Sequence, residues 1–338
     1  PYFGSCGWCH LQHMPYEDQL RWKRQWLEET FRRVAHLEVT AAAAVPSPPW
    51  EYRNKVTLRV TRIEGKISLG YHRIYEPDRL QPITDCPIAH PLIRKGIPLI
   101  VEGLNSLPAE IISPSSAHPH GSRVVIQVRE STLIVAVVDV KLSPPAQEKL
   151  AEVWLGKPSP VDGLILRDSA GGPPRVFARS GKKEDGGFFT TEAFRQVNDA
   201  VREKMYDHIV NLPFRGHGSV LDGYCGTGLL TRRLADRFKN VVGVEYDEDT
   251  VFLAEKQVEA GGLSRRVRIH CRTLEKFLKK SRESFDAWVL NPPRAGLSPE
   301  ARSAVIRHRP PDCAIISCHP AALARDVETL VDAGYMLA

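Results

Sequence analysis

The residues with the clearest chemical potential lie in two short segments late in the chain. Residues 291–294 read Asn-Pro-Pro-Arg, and residues 317–320 read Ser-Cys-His-Pro. Each follows an apolar run that is typical of a buried strand. A thiolate at Cys318 would be a nucleophile directed into a ligand crevice. The amide of Asn291 offers one donor and one acceptor to a planar base edge.

A glycine-rich segment at residues 219–231 is typical of a strand, a tight turn and the start of a helix. Gly226 and Gly228 lack Cβ atoms, so a ligand can approach the main chain and the free N–H groups of a helix N-terminus. The next apolar run ends at Glu245, where an acid is placed to hold two ribose hydroxyls. Because a fourth glycine of the dinucleotide type is missing, we favour S-adenosylmethionine over NAD. A structural βαβ turn with a chance acid is the alternative.

A possible metal site begins near the first residue. Cys6 and Cys9 have C-x-x-C spacing, and Cys86 lies in a later, proline-flanked, loop-like segment. Zinc and iron–sulfur clusters each need four ligands, so further ligands must come from distant positions, with His10 and His13 as possible extras. We favour a metal over thioredoxin-type redox chemistry, which would lie at a βαβ junction. Two unconnected structural cysteines are the other possibility.

Length and charge limit the class of protein. The chain has 338 residues, which predicts two or three domains. Its net charge of +6 permits a polyanionic partner without requiring one. An apolar run of membrane-spanning length and a signal pattern are both missing from the sequence, so we expect a cytoplasmic protein without a membrane span. Seven cysteines in such a protein favour metal binding or catalysis over disulfides.

The first two of three predicted segments are residues 1–49 and 50–185. The first contains the cysteine pair, an amphipathic helix at residues 16–36 and a linker at 41–49. The second alternates apolar and polar residues between Pro and Gly, which predicts an antiparallel sheet. Its predicted strands are residues 52–60, 66–71, 123–128, 132–140 and 163–167.

Basic residues and tyrosines alternate on these strands. Tyr52, Tyr71 and Tyr75 could stack on unpaired bases while neighbouring cations meet phosphates, which favours single-stranded nucleic acid. A solvated sheet face explains the pattern equally well. The basic residues concerned are Arg53, Lys55, Arg59, Arg62, His72, Arg73 and Arg79.

The third predicted segment, residues 186–338, alternates strands and helices. A helix is predicted at residues 194–210, followed by strands at 219–222, 241–245, 267–271, 286–290 and 313–317. This order predicts an α/β fold with a doubly wound, Rossmann-like sheet. Its ligand crevice should lie at the carboxyl ends of the strands.

Several separated motifs, in the same order, resemble the S-adenosylmethionine-dependent RNA uracil-5 methyltransferases along nearly the whole chain. Residues 6–9, 52–55 and 85–87 resemble the iron–sulfur members that modify 23S ribosomal RNA. Residues 196–198, 222–226, 291–297, 317–321 and 325–326 resemble their catalytic domain. The resemblance implies a class I methyltransferase domain preceded by a mostly antiparallel β domain with a cysteine metal site.

The resemblance also implies roles for individual residues. Cys318 would be the nucleophile, and Asn291 and Arg294 would bind the substrate uridine. The cofactor-binding residues would be Gln196, Asp222, Tyr224, Gly226, Gly228, Leu229, Glu245 and Asn291. A 4Fe-4S cluster would be held by Cys6, Cys9, Cys86 and a cysteine immediately before the first printed residue.

The chain departs from the family pattern at several positions. Asn291 replaces an aspartate, His319 replaces an asparagine, and Leu229 replaces an asparagine beside the cofactor. Residues 270–273 lack the acid that follows the third strand. The family's proton-accepting glutamate would lie beyond Ala338 and its RNA-binding barrel upstream, so we expect the printed chain to belong to a longer protein.

The implied reaction is methyl transfer to carbon 5 of an unstacked uridine by a monomeric, RNA-binding enzyme. Addition of the Cys318 thiolate to carbon 6 would make carbon 5 nucleophilic. Two other functions remain open. Asn-Pro-Pro also occurs in adenine-N6 methyltransferases, and the departures are compatible with an inactive iron–sulfur protein that binds RNA.

Overall fold

The computed structural model describes residues 2–107, 122–139, 142–156, 159–168, 172–179 and 196–338. The chain divides into two units. The first comprises Pro1–Tyr16, Ser47–Thr191 and Gln196–Ala200, and the second comprises Glu17–Pro46, Glu192–Arg195 and Val201–Ala338. The predicted boundary between residues 185 and 186 lies outside the described residues.

A mixed sheet forms the centre of the first unit. Its strands are β1 (Lys55–Ile63), β2 (Lys66–His72), β3 (Leu80–Pro82), β4 (Arg123–Arg129), β5 (Thr132–Val138), β6 (Val161–Arg167) and β7 (Arg175–Ala178). They lie in the order β3-β2-β1-β4-β5-β6-β7. Neighbours are antiparallel except β5 and β6, which are parallel. The expectation of an antiparallel sheet therefore needs one correction.

Two helices in this unit were not predicted. They are α2 (Pro91–Asn105) and α3 (Pro144–Leu155), and α3 is the crossover that a parallel β5–β6 pair requires. Pro98 and Gly103 are poor helix residues, so local propensity disfavours α2. Packing overrides that preference, because a Cβ at Gly103 would lie 2.0 Å from Nε1 of the buried Trp154.

Helix α1 (Tyr16–Val34) confirms the predicted amphipathic helix, but all of it after Tyr16 belongs to the second unit. There Phe31 and Ala35 pack with Ala324. The predicted independent segment 1–49 is therefore divided between the units. The basic side chains of α1 are largely paired with acids, as in Arg24–Glu28. Helices in the described part of the chain are too short or too polar to cross a membrane.

A parallel sheet forms the centre of the second unit. Its strands are β8 (Ser219–Gly223), β9 (Asn240–Glu245), β10 (Val267–Cys271), β11 (Ala287–Leu290) and β12 (Asp312–Ile315). Their order is β10-β9-β8-β11-β12, and every pair is parallel. The strand order reverses beside β8, where open α/β sheets bind their ligands. The predicted doubly wound fold is confirmed.

Helices cover both faces of this sheet. They are α4 (Asp199–Val210), α5 (Leu229–Leu234), α6 (Glu248–Ala260), α7 (Leu274–Lys280), α8 (Pro299–His308) and α9 (Pro320–Asp332). One apolar cluster contains Val242, Trp288 and Leu330, and the other contains Val220 and Phe238. Apolar strands covered on both faces fix the sheet, so the residues after each strand meet at one edge.

Candidate active site

The turn between β8 and α5 has the backbone that its glycines predict. Gly226 and Gly228 have φ values of 56° and 75°, a region that L side chains rarely adopt. Tyr224 adopts this conformation too, with φ of 61°. A Cβ at Gly228 would lie 3.1 Å from the Ala254 side chain on α6. The backbone conformation and the close approach of Ala254 therefore both favour glycine at residue 228.

Glu245, at the end of β9, is bound to this turn. Its Oε2 atom accepts a hydrogen bond of 3.1 Å from the backbone amide of Gly226, and its Oε1 atom accepts one of 2.8 Å from Tyr246. The structure thus brings the predicted glycine turn and the predicted ribose-binding acid together.

Asp222 lies beneath the turn and is 1% exposed. The Thr231 hydroxyl donates a 2.6 Å hydrogen bond to its carboxylate. Burial raises the pKa of Asp222 to about 7, against the lowering effect of Thr231, and the Glu245 charge adds to the rise. The carboxyl group consequently supports the turn from inside.

Two further predicted cofactor residues flank the turn. Tyr224 is half-buried, and burial followed by the charges of Glu275 and Asp326 raises its pKa. Leu229 is the first residue of α5, and it packs against the cluster that contains Phe238. Its side chain therefore contributes packing, which explains how leucine fits where the resembling family has an amide.

Cys318 lies in the loop between β12 and α9 and is exposed. The flanking residues fix this loop. The Ser317 hydroxyl oxygen accepts a 3.1 Å hydrogen bond from the His319 amide, and the His319 ring accepts one of 3.2 Å from the Ala322 amide. His319 is thus the N-cap of α9, and the thiol stands at the carboxyl edge of the sheet as predicted.

Asn291 follows β11, the strand between β8 and β12. Its backbone amide donates a 3.1 Å hydrogen bond to Gly223, and the Ile316 amide donates one of 2.8 Å to Leu290. The ends of β8, β11 and β12 are therefore in register. Asn291 is half-buried and Arg294 is exposed. The structure brings the Asn291 and Cys318 loops to neighbouring strand ends.

A residue without a predicted role, Asp326, holds the Asn291 loop. It is 1% exposed, and it accepts hydrogen bonds of 2.8 Å from the Leu297 amide and 2.9 Å from Arg302. A signal existed in the sequence, because Asp326 is four residues from both Ala322 and Leu330 on the buried face of α9. An acid among apolar neighbours at helical spacing indicates a buried partner.

The first unit contains the predicted cysteine site. Cys6, Cys9 and Cys86 line one pocket, together with Tyr71 and other largely apolar residues. Its empty volume is about 380 Å³, including space open to solvent. Burial raises the pKa of Cys9 to about 11, and the nearby Cys86 and Cys6 thiols add to the rise.

A single metal ion has no ready site there. In the part of the chain that the structure describes, no three His, Cys, Asp or Glu side chains are arranged to hold one ion. His10 and His13 do not line the cysteine pocket. The His10 ring instead forms a 2.8 Å hydrogen bond with the Gly7 carbonyl, and the His13 ring contacts Phe3.

Gln196 and the predicted RNA-binding face also belong to the first unit. The Gln196 carbonyl accepts a 3.2 Å hydrogen bond from the buried Asn54.

The predicted RNA-binding face has one residue that is buried. Tyr71 is 4% exposed, so the prediction that it stacks on a base is wrong. Tyr75, by contrast, is 85% exposed. Arg73 and Arg79 both pair with a glutamate in the same turn.

Comparison with known proteins agrees with this geometry. Residues 220–308 match the family model described as a methyltransferase domain. The chain is 28% identical, over 99% of its own length and 78% of the relative, to a Thermosynechococcus vestitus protein named an uncharacterized RNA methyltransferase. An Aquifex aeolicus protein with the same description is 25% identical, with 100% of this chain and 78% of the relative covered.

A solved structure has the same fold. It is the Pyrococcus abyssi tRNA (uracil-54, C5)-methyltransferase in complex with S-adenosyl-L-homocysteine. It matches 95% of this chain and 78% of its own with a TM-score of 0.68 and 23% identity. The chain therefore contains a methyltransferase domain of the Rossmann-like class I fold, and nearly all of its length is similar to proteins named RNA methyltransferases.

Proposed function

We propose that the chain transfers a methyl group from S-adenosylmethionine to carbon 5 of a uridine in RNA. The observation that carries this proposal is the exposed Cys318 thiol, one strand away from the end of β11 where Asn291 stands. A methyltransferase that acts on an amine or hydroxyl needs no such nucleophile. The named relatives support RNA as the substrate.

The glycine turn and Glu245 are proposed to bind S-adenosylmethionine. The open backbone at Gly226 and the α5 N-terminus at Gly228 admit the methionine part close to main-chain N–H groups. Glu245 would accept hydrogen bonds from the ribose hydroxyls. Gln196 is proposed as a further contact on the basis of the family resemblance.

The thiolate of Cys318 would form a bond to carbon 6 of the uracil ring. The electron pair of the 5,6 double bond then moves toward carbon 5 and oxygen 4 as an enolate. Carbon 5 attacks the sulfonium methyl group, and S-adenosylhomocysteine leaves. A base removes the proton from carbon 5, the carbon 6–sulfur bond breaks, and the thiolate returns to Cys318.

Asn291 is proposed to stabilise the enolate. Its amide can donate to oxygen 4 and accept from the N3–H group of the same ring. Arg294 is exposed on the same loop and would meet the RNA backbone or the base. The target base must leave its stack to reach Cys318, so we propose an unpaired uridine as the substrate. The family resemblance of residues 6–9, 52–55 and 85–87 is the basis for proposing 23S ribosomal RNA as the substrate class.

The cysteine pocket is proposed to hold a 4Fe-4S cluster. Each iron of a cluster takes its own thiolate, so the ligands need not converge on one point, as they must for a single ion. Three thiols around one largely apolar pocket fit that requirement for Cys6, Cys9 and Cys86. Such a cluster would anchor the N-terminal segment or supply redox chemistry to this unit.

RNA that contains 5-fluorouridine tests the proposed reaction. Fluorine at carbon 5 leaves no proton to remove after methyl transfer, so the adduct with Cys318 should accumulate. We expect a band that resists denaturing electrophoresis and contains label from the S-adenosylmethionine methyl group. Cys318→Ala should abolish it, whereas Cys271→Ala, which removes another exposed thiol of this unit, should not.

The product distinguishes the alternatives. Nucleoside mass spectrometry of unsubstituted RNA should reveal 5-methyluridine. N6-methyladenosine would instead identify an adenine methyltransferase. A protein that binds RNA and S-adenosylmethionine but yields neither product would be the inactive alternative. Uridine methylation by Cys318→Ala would disprove the nucleophile.

A further inference from the structure

The carboxylate of Asp326 lies against two consecutive residues of the loop that follows β11, Gly296 and Leu297. Its Oδ2 atom accepts the Leu297 amide, and a Cβ at Gly296 would lie only 2.5 Å from the same atom. The neighbouring Arg325 guanidinium donates to the Ala295 carbonyl. Gly296 has a φ of 82°, so both its backbone and its contact with Asp326 require glycine.

Asp326 lies on α9, and this helix begins beside the candidate nucleophile. The helix starts at Pro320, two residues after Cys318, with His319 as its N-cap. Asp326 follows six residues later, which is about 9 Å along the helix axis. Helix α9 therefore begins directly after the Cys318 loop, and its second turn holds the Asn291 loop. β11 and β12 alone leave this loop unconstrained beyond residue 291.

Burial makes the contact selective for one geometry. Arg302 donates a 2.9 Å hydrogen bond to Asp326, and the side chains are 16% and 1% exposed. A buried charge without its partner is costly, so Asp326, Arg302 and the Leu297 amide stabilise one arrangement of the loop. Interactions of this kind define a discrete position of the loop.

The far end of the loop has a separate attachment. The Ser298 hydroxyl donates a 2.6 Å hydrogen bond to Glu275 on α7, and Ser298 also caps α8. Loss of the Asp326 contacts should therefore leave the domain folded and the loop connected. What changes is the place of residues 291–297 relative to α9.

We propose that Asp326 is a positioning residue, which sets the Asn291 loop against the Cys318 thiol so that both act on one base. This inference rests on the proposed uridine methylation and adds a residue that does not touch the substrate. A displacement of about 1 Å between reacting groups can cost about 100-fold in rate. The effect should therefore appear in the chemical step.

Asp326→Asn and Asp326→Ala test the inference. We expect kcat for RNA methylation to fall about 10- to 100-fold, with Ala lower than Asn because Asn keeps one acceptor. The Kd for S-adenosylmethionine and the KM for RNA should stay within about threefold. Alkylation of Cys318 by iodoacetamide should proceed at the wild-type rate, since the thiol itself is unchanged and exposed.

Asp286→Asn is the matched control. Asp286 accepts two backbone amides, those of Gly218 at 2.6 Å and Ser219 at 3.0 Å, where Asp326 accepts one amide and a guanidinium, and Asp286 does so at the amino end of β8, opposite the crevice. The Asp286→Asn substitution should lower thermal stability as Asp326→Asn does, while kcat per folded molecule stays at the wild-type value. Wild-type kcat in Asp326→Ala, or an equal loss in Asp286→Asn, would overturn the positioning role. If the wild-type protein makes no 5-methyluridine, the proposed function fails instead.

Discussion

The backbone amide of Gly226 donates a 3.1 Å hydrogen bond to the carboxylate of Glu245. This contact joins the turn after β8 to the end of β9. The second carboxylate oxygen accepts the Tyr246 amide at 2.8 Å. The acid is therefore oriented before a ligand arrives, and the turn and the acid form a single preorganised surface.

Glu245→Ala should weaken S-adenosylmethionine binding about 100-fold. Two hydroxyl groups that hydrogen-bond to a charged acceptor contribute about 3 kcal/mol together, and the turn also loses its Gly226 partner. Isothermal titration calorimetry measures the change. Glu255→Ala, an exposed acid on α6, is the control and should retain wild-type affinity. Equal affinities for the two variants would exclude Glu245 from the cofactor site.

Gly228→Ala should cost both stability and cofactor affinity. Its φ of 75° strains any L residue, and the new Cβ would lie 3.1 Å from Ala254. Gly262→Ala isolates the strain, because Gly262 has a φ of 66° and nothing within 4 Å of its Cβ position. We expect a loss of about 1 kcal/mol for Gly262→Ala and a larger loss for Gly228→Ala. Only the latter should weaken S-adenosylmethionine binding. Urea unfolding measures the loss of stability, and calorimetry measures the affinity for S-adenosylmethionine. Equal stability and equal affinity in the two variants would contradict the prediction.

The second unit could be predicted well because its signals are local. Apolar runs of strand length end in glycine, Glu245, Asn291 and Cys318, and parallel strands place such ends at one edge. Distance in sequence hides other contacts. Asp326 and the Leu297 amide are 29 residues apart, and nothing in residues 291–297 indicates which helix holds them.

The first unit was predicted less completely. α2 contains Pro98 and two glycines, so its propensity disfavours a helix that burial of Ile93 and Ile97 stabilises. Tyr71 lies on the same face of β2 as the buried Ile67 and Leu69, and it packs against Trp8 and the cysteine pocket. Strand alternation therefore indicates an inward side chain at residue 71, and the neighbouring basic residues do not outweigh that signal.

Each of the single substitutions Cys6→Ser, Cys9→Ser and Cys86→Ser should remove bound iron. After anaerobic purification we expect a brown protein that contains iron and sulfide, and each variant should be colourless or lose most of both. Cys313→Ser is the control, because Cys313 lies in the other unit. Metal and sulfide analysis decides the outcome. Stoichiometric zinc without sulfide would make the C-x-x-C segment a zinc turn.

Asp222→Asn should stabilise the protein at alkaline pH and much less at acid pH. Burial raises the pKa of Asp222 to about 7, whereas an unfolded aspartate has a pKa of about 3.9. The native state therefore binds the proton more tightly, and folding stability falls as pH rises from about 4 to about 7. The full penalty, about 4 kcal/mol, applies above pH 7.

Asparagine has no charge to bury and can still accept from Thr231, so this penalty disappears in the variant. Urea unfolding from pH 4.5 to pH 8 should reveal a stability difference, variant minus wild type, that grows with pH and levels off above pH 7. Thr231→Val provides the check, because loss of the donor that lowers the Asp222 pKa should extend the pH-dependent range upward. A difference that stays constant across this range would mean that Asp222 does not titrate there, and that its carboxylate is ionised beneath the glycine turn.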